Sequence, residues 1–183
     1  MHPRLDELFA LMDSHRAALE RAVAEVPREL RERRPAAERW SVAEVLEHLA
    51  LVEGRVGRAL GAALTAARDA GLGVERETSS VAGSIDIDRV IDRGERRAAN
   101  EFAKPRAGLD AEAALARLVE HRRELRAMIA SADGLALGEV TAMNPVMGPL
   151  NVYQWMLFVA GHEARHTAQI RECLAVLQSG ATA

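Results

Sequence analysis

The sequence predicts an all-α protein, a four-helix bundle with an extra short helix in the middle of the chain. Apolar residues recur every three or four positions in four long segments, which is helical spacing. Aromatic residues make up only 3% of the 183 residues although 49% are hydrophobic. That balance suits close-packed helices better than a sheet, and no convincing strand pattern is found. No repeat or low-complexity linker divides the chain, so we expect one domain over residues 1–183.

The first two helices have clear boundaries in the sequence. The first runs from Arg4 to about Val26, where Pro27 ends it. The second begins after Ser41, which forms a capping box with Glu44. Its apolar stripe consists of Val45, His48, Leu49, Val52, Val56 and Leu60. Three glycines on this helix are tolerable if another helix or another subunit packs close: Gly54, Gly57 and Gly61.

The second half of the chain predicts three further segments. Glycine and serine residues indicate a loop from Gly71 to Ser84, and a short helix is expected from Asp86 to about Phe102. Another helix is expected from Asp110 to about Ala132, and a long loop follows it to Leu150. Asn151 caps the last helix, which runs to about Gln178. The inner stripe of that helix consists of Trp155, Val159, His162, His166, Ile170 and Cys173.

Composition excludes several classes of partner and location. The formal net charge is −3 and the pI is near 6.1, so no basic excess exists to neutralise the phosphates of a nucleic acid. The single cysteine, Cys173, forms no internal disulfide. No apolar run approaches the roughly 20 residues of a membrane span, and the N-terminus does not resemble a signal peptide. We therefore expect a cytoplasmic protein that binds neither nucleic acid nor membrane.

Two histidines of the last helix, His162 and His166, are four residues apart and lie on one helical face. With Glu163 they also spell the H-E-x-x-H signature of zinc proteases. His48 lies on the apolar stripe of the second helix, so three histidines occupy inward-facing positions. Catalytic zinc is often held by three neutral imidazoles that leave the fourth coordination position of the metal open, and imidazole also suits nickel, iron and copper. The alternative is that each is a core histidine that a backbone carbonyl satisfies.

A resemblance to a known family adds to this interpretation. The segment from Arg39 to Leu49 and the downstream His162-x-x-x-His166-x-x-Gln169-Ile170 motif resemble the DinB-like (YfiT/DinB) superfamily of metal-binding four-helix bundles. The similarity also covers the Asn144-Pro145…Gly148 loop. It implies that His48, His162 and His166 hold a divalent metal, with zinc or nickel the expected ion. Members of this family often form homodimers.

The resemblance implies a type of chemistry more than a substrate. Some family members transfer a low-molecular-weight thiol, such as bacillithiol or mycothiol, to an electrophilic small molecule. A metal-dependent S-transferase of this kind is therefore the first hypothesis. A non-enzymatic dimeric bundle that binds a metal or a ligand is the second.

A zinc protease or hydrolase is the third and least favoured hypothesis. The downstream sequence lacks the third ligand of the known protease patterns, and with His48 available we expect Glu163 to be exposed between two ligands. We also expect Arg165 to point away from the site and His121 to be solvated. Glu47 lies about 100° round the helix from His48, so we do not expect it to act as a base at the site.

Overall fold

The computed structural model describes residues 1–94, 99–106, 108 and 110–179. The described residues form four long helices: α1 (Pro3–Ala24), α2 (Val42–Asp69), α4 (Ala111–Ala130) and α5 (Val152–Ser179). A short helix, α3 (Ile87–Ile91), packs on α5. Strands β1 (Thr141–Asn144) and β2 (Gly148–Asn151) form an antiparallel hairpin ahead of α5. The predicted four-helix bundle is confirmed, with this hairpin added to it.

The predicted helix starts are confirmed by their hydrogen bonds. The Glu44 amide donates to Ser41 Oγ at 3.2 Å, and the Ser41 amide donates to the Glu44 carboxylate at 2.9 Å. The same reciprocal arrangement begins α5, where the Gln154 amide donates to Asn151 Oδ1 at 2.9 Å and the Asn151 amide donates to Gln154 Oε1 at 3.0 Å. These caps satisfy amides that have no partner within the helix, so they set where each helix begins.

Two segments differ from the sequence prediction. The helix expected from Asp86 to Phe102 is limited to α3, with a separate 3-10 turn at Glu101–Ala103, and residues 95–98 of the expected helix lie outside the described residues. The long loop before α5 contains the β-hairpin, whose tip is held by Asn144. The Asn144 side chain accepts hydrogen bonds from the Val146 and Met147 amides. Strands of four residues are too short to show an alternating pattern, which explains the missed hairpin.

The apolar core is divided into two halves along the bundle. One half contains the beginnings of α1 and α5 and the ends of α2 and α4, and the other half contains the opposite ends. The α1 and α5 helices therefore run antiparallel to α2 and α4. Between the halves lie four buried charged residues, one from each long helix: Arg16, Glu53, Arg122 and Glu163. The glycines of α2 contribute to the pairing with α4, because Gly54 and Gly61 lie directly against side chains of that helix.

Within the part of the chain that the structure describes, no helix is both long enough and apolar enough to cross a membrane.

Candidate metal centre

The structure brings together the three histidines that the sequence singled out. His48 Nε2 lies 3.2 Å from His162 Nε2, and His166 Nε2 lies 3.1 Å from the same atom. One nitrogen of each ring lies within 4.8 Å of the others. His48 reaches the cluster from α2, whereas the other two lie one turn apart on α5. Two helices that are distant in sequence thus build one cluster of three imidazoles.

Hydrogen bonds on the far side of two rings hold them in position. His48 Nδ1 donates to the Ala103 carbonyl at 2.7 Å, and His166 Nδ1 lies 2.8 Å from Gln169 Oε1, an acceptor. Because both Nδ1 atoms carry the proton, the Nε2 lone pairs of these rings face the centre of the cluster. Such outer contacts orient the ligands of metal sites and raise their basicity.

Burial keeps the cluster neutral. It lowers the pKa of His162 to about 3, and the neighbouring His48 and Arg165 add to this shift. It also lowers the pKa of His166 well below its ordinary value and lowers that of His48. At neutral pH all three rings therefore lack the second proton. Three neutral nitrogen donors that point at one place fit a divalent transition metal with an open coordination position.

A glycine next to the first histidine of α5 lets another element approach. A Cβ at Gly161 would lie 2.9 Å from Ile87 Cγ1 and 3.2 Å from Val90 Cγ1, both on α3. Contacts below 3.0 Å are not tolerated without movement, so only glycine permits this packing. The short helix α3 is thereby pressed against α5 beside His162, where it forms part of the wall of the site.

The histidine cluster opens on a cavity of about 1040 Å³. Most of the cavity wall is apolar, with side chains from α2, α5, the hairpin and the segment around Phe102. The cavity is large enough for one or two small molecules, since ligand pockets span roughly 300–1,000 Å³. Among the described residues of its wall, the charged ones are mainly cationic, in contrast to the chain as a whole: Arg39, Arg55, Arg93, Lys104 and Arg165, beside the acid Glu38.

A polar chain connects the cluster to the cationic side of the cavity. Gln169, which accepts from His166, also accepts from Arg93 Nη1 at 3.3 Å. Arg93 in turn donates to both carboxylate oxygens of Glu172, at 2.8 and 2.7 Å, and Arg39 donates to the same carboxylate at 3.0 Å. On the outer rim Lys104 pairs with Glu101. Arg93, which follows α3, is thereby tied to α5 beside a histidine of the cluster.

Glu163 does not lie where the sequence analysis expected it. It was expected to be exposed, but none of its surface is accessible. Its carboxylate oxygens lie 2.7 Å from Arg16 Nε and 3.2 Å from Arg122 Nη2. Burial raises the pKa of Glu163, and the two guanidinium groups oppose that shift. Glu163 faces the bundle core while His162 faces the cavity, so the carboxylate belongs to the buried charged layer and not to the metal site.

Three other expectations were tested by the side-chain positions. Arg165 was expected to point away, but it is buried and lines the cavity. His121 was expected to be solvated, but it is half-buried, and its Nδ1 lies 2.8 Å from the Ala50 carbonyl. Glu47, which the sequence did not favour as a base, contacts Arg117 of α4 at 2.8 Å and does not line the cavity. Inward-facing periodicity alone did not distinguish the cavity side of α5 from its core side.

The fold and the site together define a class of protein: a four-helix bundle in which histidines from two helices form a candidate metal centre at the wall of a cavity. Comparison with known proteins identifies the family. The model of the DinB superfamily matches residues 11–170, and the chain belongs to that superfamily.

Two individual proteins illustrate the relationship. The chain is 30% identical over 143 residues to the uncharacterized protein YuaE of Bacillus subtilis (strain 168), a match that covers 76% of this chain and 80% of the relative. The crystal structure of TT2238, a four-helix bundle protein, superimposes with a TM-score of 0.57 at 22% identity, over 92% of this chain and 98% of that one. The second similarity supports the fold alone.

Proposed function

We propose that this protein is a metal-dependent enzyme that transfers a low-molecular-weight thiol to an electrophilic small molecule. The observation that carries the proposal is the cluster of three neutral imidazoles, His48, His162 and His166, at the wall of a cavity that could hold a small molecule. We propose zinc or nickel as the metal, because imidazole nitrogen suits both.

The residues of the chain have separate roles in this proposal. The three Nε2 lone pairs would hold the metal, and Ala103 and Gln169 would keep two of the rings in the required tautomer. When bound, a divalent metal acts as a Lewis acid that lowers the pKa of a coordinated thiol or water, so that a nucleophile exists near neutral pH. The apolar wall of the cavity would exclude bulk water from the electrophile, and the cationic side would accept an anionic thiol such as bacillithiol or mycothiol.

The buried position of Glu163 argues against a protease mechanism. A general base must come within hydrogen-bonding distance of the water that it deprotonates. Both carboxylate oxygens of Glu163 contact arginines in the core, on the side of α5 away from the cavity. The H-E-x-x-H match therefore lacks its catalytic glutamate, although both histidines are retained.

Metal analysis combined with a thiol assay tests the proposal. The purified protein should contain about one transition-metal ion per chain, and His48→Ala should remove it while His2→Ala, a change at the start of α1, should not. The metal-loaded protein should then conjugate bacillithiol or mycothiol to monochlorobimane, and a chelator should abolish the reaction. Absence of stoichiometric metal would overturn the metalloenzyme proposal.

A different result would favour the second hypothesis. If the metal binds but no thiol is consumed, the S-transferase proposal fails, and a binding role or another metal-dependent reaction replaces it. The expected homodimer is tested independently by sedimentation equilibrium of the same preparation, where a single species of about one chain mass would contradict it.

A further inference from the structure

The cavity has an apolar arm that extends from the histidine cluster towards the hairpin. Its wall is built from Val52 and Val56 of α2 and from Trp155 and Phe158 of α5. The Phe158 ring lies nearly parallel to the His162 ring, with 5.8 Å between centroids, so this wall begins directly at the cluster. Small-molecule sites are commonly concave, mostly apolar surfaces of this kind with few polar groups.

The rim of this arm is apolar as well, although it faces solvent. Phe102 is 41% exposed, Val146 is 48% exposed and Met143 is 70% exposed, and all three line the cavity. Exposed apolar side chains that are scattered singly need no explanation, but a group of them round one opening indicates a binding surface. An apolar body that enters the cavity would cover these side chains.

One cation of this arm is available for a ligand. Arg39 and Arg93 share the carboxylate of Glu172, whereas Arg55 forms no ion pair with a carboxylate of the described residues. The Arg55 guanidinium lies 4.0 Å from the centroid of the Phe102 ring. Stacking on an aromatic face leaves the N–H groups at the edge of the guanidinium plane, where they can donate in pairs to a carboxylate or a sulfonate.

The position of Arg55 along α2 relates it to the histidine cluster. It lies two helical turns after His48 and hence on the same face of the helix. That separation corresponds to about 10 Å along the helix axis. A small molecule whose anionic group contacts Arg55 can therefore place its other end at the three imidazoles, with the apolar wall between them.

We propose that the cavity binds an apolar small molecule with a compact anionic group, a carboxylate or a sulfonate, and that Arg55 is the residue that selects this group. The identification of this molecule as the electrophilic substrate rests on the proposed function. The binding itself requires neither the metal nor turnover, so it can be tested separately.

Two fluorescent probes with the same aromatic body form a matched test. 8-Anilinonaphthalene-1-sulfonate carries a sulfonate that N-phenyl-1-naphthylamine lacks. With the metal-free protein, Arg55→Gln should weaken binding of the sulfonate probe about five- to tenfold, as expected for loss of one partly exposed charged contact. It should leave binding of the neutral probe within about twofold. Arg55→Lys should restore part of the affinity for the sulfonate probe.

A neighbouring arginine supplies the control. Arg58 is exposed on the same helix and does not line the cavity, so Arg58→Gln should change the affinity for neither probe. Circular dichroism melting curves of each variant should match the parent, which ensures that the sulfonate probe does not report unfolding. If Arg55→Gln affects both probes equally, or neither, the proposed role of Arg55 is wrong.

Three further outcomes are separable from these. If both affinities fall as the protein concentration rises, the apolar rim is an interface between copies of the chain, which also overturns the proposal. If Arg55 selects the sulfonate probe but the protein holds no metal or consumes no thiol, the proposed function fails while the anionic ligand class stands. If thiol transfer is found and Arg55 has no effect on either probe, only the ligand class fails.

Discussion

Replacing Glu163 with alanine would remove one of two carboxylates from a buried layer that also contains two guanidinium groups. Arg122 contacts Glu53 at 2.7 Å and Glu163 at 3.2 Å, and Arg16 contacts them at 3.1 and 2.7 Å. The layer therefore carries two positive and two negative charges, one from each long helix. The variant would keep both arginines with Glu53 as their remaining carboxylate, which leaves one buried positive charge uncompensated.

The magnitude follows from the burial of these groups. Both arginines are less than 10% exposed and Glu163 has no accessible surface. Removing one partner of a buried ion pair costs about 3–5 kcal/mol, mainly because the remaining charge loses its compensation while it stays out of water. We therefore expect Glu163→Ala to lower the free energy of unfolding by about 3–5 kcal/mol, a large share of the stability of a domain of this size.

Urea unfolding at neutral pH measures this change, with the slope of the transition as a check that the native state is intact. Glu172→Ala is a matched control, since Glu172 lies on the same helix and also contacts two arginines. Its side chain is 44% exposed, so we expect its loss to cost no more than about 1 kcal/mol. A Glu163→Ala effect as small as that of Glu172→Ala would refute the argument from burial.

A double-mutant cycle separates uncompensated charge from lost packing. Arg122→Met combined with Glu163→Ala removes one charge of each sign and leaves Arg16 paired with Glu53. The double variant should therefore be more stable than the sum of the two single effects predicts. Additive effects would show that the two side chains act independently. Loss of the proposed thiol-transfer activity by Glu163→Gln without any loss of stability would instead restore the glutamate to a catalytic role.

Three further predictions concern the candidate metal centre and its surroundings. Gln169→Ala should weaken metal binding about 10–100-fold, measured by competition with a chromogenic chelator, because His166 loses the acceptor that orients it; unchanged affinity would contradict this role. Folding of the metal-free protein keeps its histidine cluster neutral, whereas the unfolded histidines take up protons near the ordinary pKa of 6.5. Because these pKa values are lowered in the folded state, the stabilisation is fully present above about pH 6.5. As the pH falls below that value, the free energy of unfolding decreases by up to about 1.4 kcal/mol per pH unit for each histidine. A free energy of unfolding in urea that does not change between about pH 5 and pH 8 would contradict this. Gly161→Ala should cost about 1–3 kcal/mol because its Cβ would lie 2.9 Å from a side-chain carbon of α3. Gly57→Ala, with nothing within 4 Å of its Cβ, should instead stabilise the protein by about 0.5–1 kcal/mol, and equal effects of the two changes would refute the packing argument.

The features that the sequence predicted well are those with local causes. The capping box at Ser41 and the cap at Asn151 depend on residues three positions apart, so they are visible without knowledge of the fold. The pairing of His162 with His166 depends on helical periodicity. The assignment of His48 to the same cluster required only the assumption that the apolar stripe of α2 faces inward. The structure places His48 Nε2 3.2 Å from His162 Nε2.

The features that the sequence predicted poorly depend on contacts between distant segments. Glu163 was assigned to the surface because His48 was available as a third ligand, which left the glutamate between two ligands without a role. Its two arginine partners lie 147 and 41 positions away in the chain, on α1 and α4. Arg165 was expected to point away from the site, and the direction of its side chain depends on which neighbours surround α5. The close packing of α3 on α5 likewise depends on Gly161, where a Cβ would meet Ile87.

By itself the sequence determined the class of fold, the starts of the principal helices and the three histidines of the candidate metal site. These follow from periodicity and capping, which act over one or two helical turns. The tertiary structure alone decided which face of α5 meets the cavity and which meets the core. It thereby separated His162 from Glu163, neighbours in the sequence, because successive residues of a helix point about 100° apart and the packing of α1 and α4 encloses only one of them.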